Sequence, residues 1–65
     1  MRVKLQIPGV GEKEMQANSV ADILQKLEVP EGYEVRLIRG EEVLRENSTI
    51  REGDNIQVMP VLRGA

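Results

Sequence analysis

The chain contains no cysteine, histidine, tryptophan or phenylalanine, and Tyr33 is its single aromatic residue. Without cysteine or histidine there is no disulfide, no thiolate nucleophile, no imidazole base and no Cys/His zinc site. Most of enzymology is thereby excluded, and with no nucleophile–base pair left the chain reads as a non-enzyme. Carboxylates alone can hold magnesium or calcium, but no acidic cluster has the spacing that such a site needs, so neither metal nor cofactor is expected. No stretch approaches the roughly 20 apolar residues of a membrane span. The opening MRVKLQIPGVGEKE alternates charged and apolar residues and has no signal-peptide core. Together these absences point to a cytoplasmic protein without membrane contact. A basic stripe is also missing. Nine basic and eleven acidic residues are interspersed to a net charge of −2. Arg36, Arg39, Arg45, Arg51 and Arg63 are diluted by Glu34, Glu41, Glu42, Glu46 and Glu52, and no aromatic platform exists for stacking bases. Nucleic acid is therefore not an expected partner.

What remains is aliphatic. Sixty-five residues allow one domain, and a chain of this size buries only about 60% of its unfolded surface, in one small core. In MRVKLQIP, Val3, Leu5 and Ile7 alternate with Arg2, Lys4 and Gln6, the pattern of a half-buried strand. PGVG marks a hairpin turn, and GEKEMQA is a second, weaker strand with Met15 and Ala17 inward, antiparallel to the first. In NSVADILQKLEVP the period changes. Val20, Ile23, Leu24 and Leu27 fall on one stripe of an amphipathic helix of about ten residues. Ser19 and Asp22 have capping-box spacing, Asn18 competes as the cap, and Pro30 ends the helix. A strand over Glu34–Arg39, a turn at Gly40 and a brief strand around Val43 and Leu44 follow. NSTIREGD is a polar connection holding the single apolar Ile50. NIQVMPV is the last strand, with Pro60 near its end. Hairpin, helix and three further strands predict an α+β domain, with one helix on one face of a mixed four- to five-stranded sheet. The last strand is expected in the middle, parallel to the first. The expected core is Val3, Leu5, Ile7, Ile23, Leu24, Leu27, Val35, Leu37, Ile56 and Val58.

Three segments resemble the ubiquitin-like β-grasp proteins, in particular the small sulfur carriers of thiamin and molybdopterin biosynthesis and the archaeal small modifiers. NSVADILQKL resembles the helix entry of that family, REGDNIQVMPVL its approach to the last strand, and VLRGA its exposed tail. The family ends in Gly-Gly, whereas Gly64-Ala65 stands here. The resemblance implies a ubiquitin-like β-grasp domain over 1–61 and a flexible C-terminal tail over 62–65. It also implies a carrier or modifier that is not itself an enzyme. A partner enzyme would use ATP to adenylate the C-terminal carboxylate, which is then converted to a thiocarboxylate or an isopeptide. A sulfur-acceptor enzyme or target lysines would receive it, and Lys4, Lys13 and Lys26 are this chain's own candidates if it forms chains. Ala65 sets a methyl beside the carbon that would react, where glycine allows positive φ and a narrow channel. Phage tail-assembly proteins offer a weaker resemblance through their Pro-apolar-x-Gly-Ala ending. That keeps open an interaction or assembly module with an inert tail.

Two candidate sites follow. The tail, Leu62, Arg63, Gly64 and Ala65, reaches at most about 14 Å at ~3.3–3.6 Å per residue. On the sheet face away from the helix, Arg36, Ile38, Met59 and Val61 would form a partner-binding patch, with Leu62 beyond and Lys4 and Gln57 at its rim. PGVG lacks the ending of a phosphate-binding loop and serves as a turn.

Overall fold

The computed structural model describes residues 1–64. Strands β1 (Arg2–Ile7) and β2 (Gly11–Gln16) form an antiparallel hairpin with Val3 opposite Met15 and Leu5 opposite Lys13. The turn between them closes with the Val10 N–H on the Ile7 carbonyl at 3.0 Å. Helix α1 (Val20–Lys26) follows, then β3 (Tyr33–Arg39), β4 (Glu42–Leu44) and β5 (Asn55–Leu62). The sheet order is β2-β1-β5-β3-β4. β5 lies in the middle, parallel to β1 and antiparallel to β3. This is the expected α+β, β-grasp-like arrangement, and all five strands and the helix are present in the expected order.

Ser19 is the N-cap of α1, and its Oγ accepts the Asp22 N–H at 3.1 Å. The Asp22 carboxylate in turn accepts the Asn18 N–H at 3.1 Å and pairs with Lys26 at 3.4 Å. Chiefly that backbone hydrogen bond, with help from Lys26, holds the Asp22 carboxyl below its ordinary range. The helix is shorter than its apolar stripe suggests. Leu27 is already extended, with φ −75° and ψ 134°, so α1 stops at Lys26 rather than running on towards Pro30.

That early stop relocates the core. Val3, Leu5, Ala17, Val20, Ile23, Leu37, Leu44, Ile50, Ile56 and Val58 are buried. Ile7, Leu24, Leu27 and Val35, expected inside, are only partly covered. A helix of seven residues spans roughly 10 Å at ~1.5 Å per residue, whereas the eight residues of β5 run roughly 26 Å at ~3.3 Å each. The helix therefore covers one end of the sheet and leaves the other thinly packed. Ile50 enters the core from the 45–54 connection, where the sequence shows only a polar loop. Arg39 holds that loop in place, donating to the Thr49 carbonyl and to the Asp54 carboxylate, both at 2.8 Å, and to Glu42 at 3.0 Å.

Candidate functional site

Alternation along β3 and β5 sorts the sequence-predicted patch. Leu37 and Val58 pair and turn inward beneath the helix, so Arg36, Ile38, Met59 and Val61 turn to the opposite face. Arg36 lies directly across from Met59, Ile38 across from Gln57, and Glu34 across from Val61. Ile38 and Met59 are thus diagonal neighbours, a separation that long side chains still bridge. Met59 is 42% exposed, while Ile38 and Val61 are half-buried. The four predicted residues share one face, as expected. Arg36 makes no ion pair among the described residues, in contrast to Arg39, which pairs with both Glu42 and Asp54.

One member of this surface escaped the sequence analysis. Val43 sits opposite Ile38 on β4 and is 51% exposed. Its signal was present, because Leu44 is buried and its neighbour in a strand must face the other way. Leu62, expected as an extension of the patch, belongs to the other face, because it lies an odd number of positions from Met59 and Val61. It pairs with Tyr33 on the helix side and is 56% exposed. Towards β1 the outer face becomes polar. Gln6, Asn55 and Gln57 line a shallow depression with Ile38 and Gly40, and the Gln6 amide donates to Glu12 and Asn55. Lys4, across from Asn55, borders that polar side.

The tail starts later than the sequence indicates. Leu62 is part of β5, and the Arg63 N–H donates to the Gly32 carbonyl at 2.8 Å, continuing the ladder with β3. Gly64 then takes a positive φ of +78°, a backbone conformation that favours glycine, and turns the chain out of the strand. Ala65 lies outside the described residues.

No protein-family model matches this chain, and neither does any curated protein. Its own surfaces carry the functional argument.

Two further features bound the chemistry. Among the described residues no group of three or more His, Cys, Asp or Glu side chains could hold a metal ion, and no helix is long and apolar enough to cross a membrane. Asp54 is a second perturbed acid besides Asp22. Burial pushes its carboxyl up, but the Arg51 N–H at 2.9 Å and the Arg39 guanidinium outweigh this and hold it below its ordinary value of 3.8. Arg39 is correspondingly raised by its bonds to Glu42 and Asp54. This cluster pins a loop to the sheet and lies apart from the tail.

Proposed function

We propose that the chain is a ubiquitin-like sulfur carrier or small modifier, whose C-terminal carboxylate a partner enzyme adenylates with ATP and converts to a thiocarboxylate or an isopeptide. The observation that carries this reading is the continuity of β5. A central strand, hydrogen-bonded through Arg63, leads straight into Gly64, so a partner gripping the sheet also fixes where the tail begins. The outer face supplies the grip, with Met59, Ile38, Val61 and Val43 as apolar contacts and Arg36, without an ion pair among the described residues, beside them. The chain would supply the carboxylate and the partner the nucleotide site. ATP-dependent activation fits a cytoplasmic setting.

The Ala65 methyl favours a second reading, an interaction or assembly module whose tail is inert. Intact mass separates the two. The mass of the mature protein first establishes its last residue. Incubation with an adenylating enzyme of the thiamin- or molybdopterin-carrier type, ATP and a sulfur donor should then give the mass gain of one oxygen replaced by sulfur. Ala65→Gly should react faster, because it removes the methyl beside the reacting carbon. Failure of both versions to form any adduct with the enzymes tried rejects the carrier reading and leaves the interaction module.

A further inference from the structure

The short helix and the long central strand leave a second surface, on the side opposite the outer patch. β1 pairs with β5 only over Lys4–Gln6 against Asn55–Gln57, yet β5 runs on to Leu62. Among the described residues, no strand lies beside the β1-side edge of β5 from Val58 onward. The direction of the backbone groups follows from two hydrogen bonds. Lys4 N–H donates to the Asp54 carbonyl, and Arg63 N–H to the Gly32 carbonyl. Two-residue alternation then turns the backbones of residues 57, 59 and 61 towards β3, and those of Val58, Pro60 and Leu62 towards the β1 side. The next donor in the β1 ladder would be residue 8, and Pro8 has no N–H. None of the turn and loop hydrogen bonds among the described residues reaches the free side of Val58, Pro60 or Leu62. The Pro60 and Leu62 carbonyls and the Leu62 N–H, on exposed residues, therefore lie open, and the Val58 carbonyl, with no partner among the described residues, stands at the buried end of the row.

Beside this edge the early end of α1 leaves a groove of about 280 Å³, lined by Ile7, Val10, Leu27, Val35 and Val58, with Lys13 and Glu28 at its rim. Val10 is 71% exposed at its mouth. Groove and edge together specify an occupant. An apolar pocket alone accepts many shapes, but open backbone carbonyls two residues apart are matched by the N–H groups of an extended chain.

We infer that the free edge of β5 binds an extended peptide segment of a partner protein by strand addition, in the place β1 would occupy if it ran on past Ile7. Alternate residues of the incoming segment donate N–H groups to the Val58 and Pro60 carbonyls, and its main chain accepts the Leu62 N–H. On one side it sets an apolar side chain into the groove, and on the other it borders Met59 and Val61. The free stretch accommodates roughly four or five residues at ~3.3 Å each. This inference is independent of any chemistry at the terminal carboxylate, and its test contains no ATP and no activating enzyme.

The test selects a displayed library of random linear peptides on the immobilised protein and prepares the best binder synthetically. Binding should slow hydrogen exchange at the Leu62 amide and shift the resonances of Val10, Leu27 and Val58. Methylating the one peptide nitrogen that faces Pro60 should weaken affinity about tenfold, the worth of one hydrogen bond. Val10→Asp, a change at an exposed turn that the fold does not need, should weaken binding to a similar extent while leaving the melting temperature in place. Three results overturn the inference: no peptide is selected, Leu62 gains no protection in the complex, or the perturbed residues are only Ile38, Val43 and Met59 of the outer face.

Discussion

The Arg63 amide lies 2.8 Å from the Gly32 carbonyl, so the last sheet hydrogen bond among the described residues falls one residue beyond β5. Arg63→Pro removes the donor and should cost the fold about 1 kcal/mol or less. Amide relaxation of the wild type should stay strand-like through Arg63. In the proline variant the loss of order should begin at Leu62. A wild-type profile already mobile at Leu62 would contradict the bond.

Ile23 and Leu24 are adjacent but not equivalent. Ile23 is fully buried, whereas Leu24 is only partly covered. Ile23→Ala should cost about 2–5 kcal/mol and bring a domain of this size close to unfolding. Leu24→Ala should cost less than half as much. Urea denaturation of the two variants checks the order, and equal losses would mean that the helix is rotated from the position described.

Asp54 makes stability depend on pH in one direction. Its folded-state carboxyl titrates below the ordinary value of 3.8, so the charged form is favoured by folding. The contribution is complete above the unfolded-state value and fades as pH falls through the folded-state one. Asp54→Asn should therefore destabilise the protein at neutral pH and flatten the acid limb of its stability curve. An unchanged acid limb would assign that slope to other carboxylates.

Met59→Glu tests the outer face. The side chain is 42% exposed, so the melting temperature should move little. Binding of an activating enzyme or other sheet-docking partner should fall, and Val43→Asp should reproduce the loss from the neighbouring strand. A large stability loss from Met59→Glu would put that side chain in the core.

The sheet was legible because period-two alternation is unambiguous where one face is buried. Val3-Leu5-Ile7 and Ile56-Val58 fixed both the strands and their inward faces. The patch was legible for the same reason, since Leu37 inward forces Ile38 outward. Apolar periodicity marked the helix but not its end, because Leu27 carries the right spacing and yet adopts an extended backbone. Ile50 was hidden in a polar stretch. Its burial depends on the loop being pinned through Arg39 and Asp54, a contact between residues 15 apart that no local pattern encodes. The groove and the free edge depend on the difference in length between a helix and a strand, which becomes visible only once the two are packed.

Pro60 has a consequence for how the molecule behaves in concentrated solution. An open strand edge ordinarily invites a second copy to pair with it. Here the free row offers the carbonyls of Pro60 and Leu62, with that of Val58 at its buried end, and only the Leu62 N–H. Two such rows set against each other would meet largely acceptor to acceptor. This stretch of edge is thereby closed to its own kind while open to a foreign chain that brings donors, and it resists self-pairing without being covered.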